Sequence, residues 1–105
     1  MAFREQVIHA AAKRIMYSAH ALDEMNAEDE MISVGEVRQV VLTGDIIEDY
    51  PEDRRGHSCL MFSVSDKKRP VHVVCAPKAE YLAIITTYIP SLEKWQADFK
   101  TRRIK

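Results

Sequence analysis

The sequence predicts an α+β domain with N-terminal helices, an antiparallel sheet of about four strands and a C-terminal helix. Segments with helical spacing of apolar residues come first, and four segments rich in β-branched and aromatic residues then follow one another with no helix between them. Elements segregated in this way form antiparallel sheets, whereas strands that alternate with helices form parallel ones. A chain of 105 residues has room for one such domain.

The first predicted helix covers residues 3–13, which are good helix formers with apolar side chains at helical spacing. We interpret residues 1–14 as an N-terminal helical extension and residues 15–105 as a single domain. Residues 14–17 are either a short strand or a link into the next helix.

Two further helices have clear start signals. Ser18 can cap the second, which carries an apolar stripe and has His20 in its first turn. There the helix dipole disfavours a charged imidazole, although a surface histidine is the alternative. The third runs over about residues 34–43, because Ser33 and Glu36 form a capping box and Gly44 is a natural stop.

The four predicted strands are residues 46–50, 57–64, 69–76 and 80–90. The last two should form the centre of the sheet, joined by a turn at residues 77–79. A C-terminal helix is predicted after Ser91, with Leu92, Trp95 and Phe99 at i, i+3 and i+7.

The two central strands carry the polar side chains with catalytic potential, His72, Thr86 and Tyr88. Side chains two apart in a strand share a face, which predicts the two sets Leu82, Ile84, Thr86, Tyr88 and Tyr81, Ala83, Ile85, Thr87. Thr86 and Tyr88 should therefore be neighbours, and His72 could meet them across the hairpin. In the alternative interpretation, His72 is a core histidine bonded to a backbone group and Tyr88 is an ordinary sheet aromatic.

The composition, 47% apolar and 30% charged residues, is that of an ordinary soluble globular protein. The net charge of −1 hides an acidic first half and a basic end made by Lys94, Lys100, Arg102, Arg103 and Lys105. A polyanion would be expected to bind at that end, although a solvated surface is the alternative. No stretch is long and apolar enough for a membrane span, and no secretory signal is present, so we expect a cytoplasmic protein.

The two cysteines, Cys59 and Cys75, lie in predicted strands and should be small buried side chains in a reducing compartment. A metal site of His57, Cys59, His72 and Cys75 is an alternative. However, His72 and Cys75 are three apart in one strand, so their side chains should point to opposite faces. We therefore expect no metal and no cofactor.

Six ordered motifs over about residues 15–103 resemble the DUF4258 family. They are Ser18, His20, Ala21 and Met25; Ile32 and Ser33; Gly44, Ile46, Ile47, Glu48, Asp49, Tyr50 and Pro51; Arg69, Pro70, His72, Val73 and Val74; Ile84, Ile85, Thr86, Tyr88 and Pro90; and Trp95, Arg102 and Arg103.

The resemblance implies a fold similar to the RelE and BrnT toxins, within a barnase-like grouping of metal-independent ribonucleases. It implies a toxin-like endoribonuclease that inhibits growth or translation by cleaving RNA, with a cognate antitoxin protein as partner. His20 and His72 are then the acid–base candidates, and Thr86 and Tyr88 are hydrogen-bond donors. Arg69 or Arg102 would hold the phosphate, supported by the basic residues Lys100 and Arg103.

The chain departs from the family pattern in its first motif. The family usually has an arginine before the methionine, where this chain has Glu24, and residues 26–31 are acidic and about two residues longer. Carboxylates there repel an RNA backbone over a screening length of ~10 Å. This departure motivates the alternative function, a non-catalytic RelE-like module that binds a partner protein or nucleic acid.

Overall fold

The computed structural model describes residues 1–104 and has an α+β fold of three helices and one five-stranded mixed sheet. The helices are α1 (Phe3–Lys13), α2 (Ala19–Met25) and α3 (Val34–Thr43). The strands are β1 (Ile15–Tyr17), β2 (Asp45–Tyr50), β3 (Ser58–Val64), β4 (Pro70–Pro77) and β5 (Leu82–Tyr88). Among residues 1–104, no helix is long and apolar enough to cross a membrane.

The strand order is β1-β5-β4-β3-β2. Strands β2 to β5 form the predicted antiparallel sheet, but β1 adds a fifth strand that runs parallel to β5. The prediction of four antiparallel strands was therefore incomplete, and the strand alternative for residues 14–17 is confirmed. Three residues are too few for an alternating pattern, so the sequence alone could not decide between strand and link.

A β-bulge at Ile85 changes which side chains of β5 share a face. Cys75 pairs with Ile84 but Val74 pairs with Thr86, so Ile85 is the extra residue. Its carbonyl accepts a hydrogen bond from the Ser18 hydroxyl at 2.8 Å. The prediction that Ile84 shares a face with Thr86 and Tyr88 was therefore wrong, because it assumed uninterrupted alternation.

Helices α1 and α3 cover one face of the sheet and form the core with it. The buried core side chains include Val7, Ala10 and Ala11 of α1, Ala21 and Met25 of α2, Val37, Val40 and Val41 of α3, and Met61, Val73, Cys75 and Ile84 of the sheet. Arg4 of α1 also donates hydrogen bonds to the carbonyls of Val41 and Gly44, at 2.9 and 3.1 Å, where α3 ends. Helix α1 therefore belongs to the same core as α3 and the sheet.

Residues 91–103, here called the C-terminal strap, cross the opposite face of the sheet as a series of turns. The predicted C-terminal helix was therefore wrong. The Asp98 carboxylate accepts hydrogen bonds from the backbone N–H groups of Lys100 and Thr101, which favours a turn, and Phe99 has a φ of 57°. Trp95 is buried, but Leu92, placed on the same predicted stripe, is exposed.

Candidate functional site

His72 lies on β4 under the strap, directly opposite Tyr88 of β5. Its side chain is fully buried, with Nε2 2.7 Å from the Phe99 carbonyl oxygen and Nδ1 3.2 Å from the Tyr88 hydroxyl. A carbonyl oxygen only accepts hydrogen bonds, so Nε2 carries the proton and donates a hydrogen bond to the Phe99 carbonyl oxygen. In the neutral ring, Nδ1 must then accept a hydrogen bond from the Tyr88 hydroxyl. The phenolic oxygen of Tyr88 is left with its lone pairs directed away from His72.

The surroundings keep His72 neutral. Burial lowers the pKa of the imidazole below its ordinary value, and the hydrogen bond to Phe99 and the negative charge of Glu48 only partly oppose this. The rings of Trp95 and Phe62 pack edge-on against it, with centroids 4.5 and 5.7 Å away. These contacts match the alternative interpretation of His72 as a core histidine bonded to a backbone group.

A cleft of about 410 Å³ opens beside Tyr88. It is lined by Glu24 of α2, Glu30 of the loop that follows, Tyr88 and Ile89, and Ser91, Lys94, Trp95 and Arg102 of the strap. Burial raises the pKa of the Tyr88 phenol, so this hydroxyl is protonated at neutral pH. One neutral phenol, two carboxylates and two cations therefore line the same cleft.

Arg102 is held in place at the cleft by several contacts. Its guanidinium donates two hydrogen bonds to the Glu48 carboxylate, at 2.6 and 2.9 Å, and lies 4.6 Å from the centre of the Trp95 ring. The Tyr50 hydroxyl donates a further hydrogen bond to Glu48. These partners lower the pKa of the Glu48 carboxyl and raise that of Arg102, so both are charged. The pair fixes the strap to β2 and orients one cation toward the cleft.

His20 lies next to the cleft on α2. Its Nε2 is 3.4 Å from a carboxylate oxygen of Glu24, and about two thirds of its side chain is exposed. Ser18 caps this helix as predicted, because its hydroxyl oxygen accepts a hydrogen bond from the Ala21 N–H at 3.0 Å. Thr86 is half-buried on the same sheet face as Tyr88.

Arg69 lies outside the cleft and binds the scaffold. Its guanidinium donates two hydrogen bonds to the Glu36 carboxylate, at 2.9 and 2.7 Å, and one each to the carbonyls of Glu30 and Met31. Lys100 pairs with Asp45 at 3.4 Å, and the Arg103 side chain donates to the Leu92 carbonyl. Of the predicted site residues, the structure therefore brings His72, Tyr88 and Arg102 together, with His20 adjoining them through Glu24.

The cleft also contains residues that the sequence analysis did not assign to the site. Glu24 lies four residues after His20 in a helix, which places both on one face, so that spacing could have indicated the pair. The sequence indicated Lys94 only as part of the basic end, and it gave no signal for Glu48, which reaches the site through its contact with Arg102.

The four residues of the metal alternative do not converge. Cys59 and Cys75 pair across β3 and β4 with their sulfur atoms 3.9 Å apart on the core face, whereas His72 is on the other face. His57 contacts Asp49 and stacks on Phe3. Within residues 1–104, no three His, Cys, Asp or Glu side chains are grouped as metal ligands would be.

Comparison with protein families matches residues 17–89 to a family described as Domain of unknown function (DUF4258). Comparison with curated proteins and with solved structures finds no match. The matched segment begins at the end of β1, ends one residue after β5 and includes His20, His72 and Tyr88. With most of its length matched, the chain belongs to the DUF4258 family.

Proposed function

We propose that this chain is a toxin-like, metal-independent endoribonuclease of RelE-like fold that inhibits growth or translation by cleaving RNA in the cleft beside Tyr88. One observation carries the proposal. A phenolic oxygen oriented by a buried imidazole lines a cleft that also contains a carboxylate paired with an exposed imidazole, and a fixed guanidinium. These are the groups that metal-independent RNA cleavage requires.

The proposed reaction begins at the ribose 2′-hydroxyl. The Tyr88 oxygen takes the 2′-hydroxyl proton while the phenolic proton passes to Nδ1 of His72, along the hydrogen bond already present. The 2′-oxygen then attacks the adjacent phosphorus. Charge on the His72 ring is disfavoured by burial but favoured by the nearby Glu48 carboxylate, so this transfer is transient.

The bond from phosphorus to the 5′-oxygen breaks in the same reaction. Protonated His20, held by Glu24, donates a proton to the leaving 5′-oxygen, which leaves a 2′,3′-cyclic phosphate and a 5′-hydroxyl end. Lys94 and Arg102 line the cleft and would stabilise the additional negative charge on the phosphate oxygens. Within residues 1–104 Lys94 makes no ion pair, so its charge is available to a substrate.

The test is cleavage of a purified RNA by the purified chain in EDTA, with the ends of the products mapped. We expect Tyr88→Phe and His20→Ala each to lower the cleavage rate at least ~100-fold, the low end for loss of an acid or base group. The matched controls are Tyr81→Phe and His9→Ala, which change the same residue types outside the cleft and should stay within about twofold of wild type.

Induction of the same five chains in a bacterial host gives a second measurement. Growth arrest should follow the cleavage rates, and co-expression of a cognate antitoxin protein should relieve it. Full activity in both Tyr88→Phe and His20→Ala, with circular dichroism showing folded protein, would contradict the proposal. So would cleavage that EDTA abolishes.

A non-catalytic module that binds a partner protein or nucleic acid is the second candidate function. It is favoured by the complete burial of His72 and by Glu24 and Glu30, two carboxylates in the cleft that oppose an RNA backbone. If this candidate is correct, wild-type protein neither cleaves RNA nor arrests growth, and Tyr88→Phe changes only partner affinity.

A further inference from the structure

A second concave surface lies at the α2–α3 connection and has no role in the proposed reaction. This groove has a volume of about 420 Å³, and its lining residues include Leu22, Met25, Met31, Val34 and Lys67. Leu22, Met31 and Val34 are 43%, 57% and 57% exposed, so three of the nine exposed large apolar side chains in residues 1–104 line this one groove. Exposed apolar side chains that gather around one groove mark an interaction surface.

The scaffold holds Met31 at the rim of the groove. Its φ of 48° lies in the left-handed region, which a methionine rarely adopts. Its N–H donates to the Ala27 carbonyl at 2.8 Å, and its carbonyl accepts a hydrogen bond from Arg69 at 3.0 Å. These backbone hydrogen bonds fix the position of Met31 with its side chain exposed. The groove is therefore preformed in the absence of a partner.

Three exposed carboxylates belong to the chain segments that line the groove. Asp23 follows Leu22 in α2, and Glu28 and Asp29 lie in the same connection as Met31; all three are exposed. Within residues 1–104 none of the three makes an ion pair, and residues 19–37 contain no lysine or arginine. Lys67 is the one cation among the lining residues, and it shares the Glu36 carboxylate, 3.5 Å away, with Arg69.

From this combination we propose that the groove binds an amphipathic helix of a partner protein, with apolar side chains on one face and lysines or arginines beside them. The apolar face fits against Leu22, Met31 and Val34, in the manner of a helix bound in a groove. The basic side chains pair with Asp23, Glu28 and Asp29, which adds affinity and selects against acidic helices.

The proposal is independent of the ribonuclease proposal, because it concerns binding at a different surface. The two surfaces are nevertheless adjacent, since Glu24 and Glu30, from the same stretch of chain as Leu22 and Met31, line the cleft. A helix in the groove would therefore contact the segment that forms one wall of the cleft.

The test uses three synthetic peptides of equal length, each with a fluorescent label. The first has leucines at i, i+3, i+4 and i+7 and lysines at its other positions. The second has the same composition with the leucines scattered, and the third has glutamates in place of the lysines. In anisotropy titrations we expect the first peptide to bind wild-type protein at least ~10-fold more tightly than either control, with an affinity that falls as salt increases.

Two groove variants and two matched controls locate the site. Met31→Ser and Asp29→Asn should each weaken binding of the first peptide at least ~5-fold. Ile8→Ser and Glu80→Gln change an exposed isoleucine and an exposed glutamate away from the groove, and should stay within about twofold of wild type. All four positions are exposed, so the variants should fold, and thermal melts check this.

Three results would overturn the proposal. The first is equal affinity for all three peptides, and the second is equal weakening by the groove variants and the controls. The third concerns occupancy by a second copy of this chain. If wild-type protein self-associates in sedimentation experiments and Met31→Ser makes it monomeric, the groove is an interface between copies.

Discussion

Replacing Arg69 by methionine tests whether this residue holds the scaffold or a substrate phosphate. The Glu36 carboxylate is fully buried and accepts two hydrogen bonds from Arg69, one from the Ser65 hydroxyl at 2.6 Å and one from the Ser33 N–H at 3.1 Å. Arg69→Met keeps most of the aliphatic volume but leaves a buried carboxylate without its guanidinium. Loss of one partner of a buried pair destabilises a protein by about 3–5 kcal/mol.

The lower end of that range applies here. About a quarter of the Arg69 side chain is exposed, and Lys67 remains 3.5 Å from Glu36. We therefore expect Arg69→Met to lower the free energy of unfolding by about 3 kcal/mol. With a urea dependence of about 1.5 kcal/mol per molar, the unfolding midpoint falls by roughly 2 M. Fluorescence of Trp95, the single tryptophan, reports the transition.

A second substitution and a change of pH sharpen this experiment. Glu36→Gln in the Arg69→Met chain removes the uncompensated charge, so the double variant should be more stable than Arg69→Met alone. Arg69 and its neighbours hold the pKa of Glu36 well below its ordinary value of 4.5 in the folded state. The ionised carboxylate thus stabilises the fold above pH 4.5, and wild-type protein loses this stability as the pH falls below that value.

The outcome separates the two roles of Arg69. If Arg69→Met shifts the unfolding free energy by less than about 1 kcal/mol, the pair contributes no more than a surface ion pair and the reasoning from burial is refuted. Unchanged stability together with weaker RNA binding would support the phosphate role implied by the family resemblance.

Three further predictions concern single positions. Gly44→Ala should destabilise the fold by about 2 kcal/mol or more in urea melts, because a Cβ atom would lie 2.5 Å from the Val40 carbonyl oxygen and 2.6 Å from that of Phe62, where neither backbone can yield easily. Ser18→Ala should cost about 1 kcal/mol in the same melts, because α2 loses its cap. Nitrogen chemical shifts should show His72 with its proton on Nε2. Its pKa lies below the ordinary 6.5, so just below that pH the folded ring stays neutral while unfolded chains protonate, and stability falls as the pH drops from 6.5. A proton on Nδ1 would contradict the proposed direction of the Tyr88 hydrogen bond.

Local signals predicted much of the fold. The capping box of Ser33 and Glu36 and the stop at Gly44 fixed both ends of α3, because the atoms involved are a few residues apart. The face assignment along β5 depended on pairing instead. A bulge is stabilised by its partners, here the Ser18 hydroxyl that binds Ile85, and this contact spans 67 residues of chain.

The site was predictable to a similar extent. His72 and Tyr88 lie on consecutive strands of one hairpin, so their meeting followed from the order of elements. The position of Arg102 depends on its contact with Glu48, 54 residues earlier, and on a strap that forms turns where apolar spacing predicted a helix. Apolar residues spaced by three and four share a face only if the segment is a helix. Trp95 is buried although its segment forms turns.

The strap has a consequence for the order of events during folding. All five strands are contained in residues 15–88, so residues 91–103 add no strand to the sheet and can dock on it last. Until the Phe99 carbonyl and Trp95 arrive, His72 faces water and either ring nitrogen can carry the proton. A molecule whose strap is not yet docked would therefore have a complete sheet but no oriented Tyr88 hydroxyl, and the cleft would form only when the strap docks.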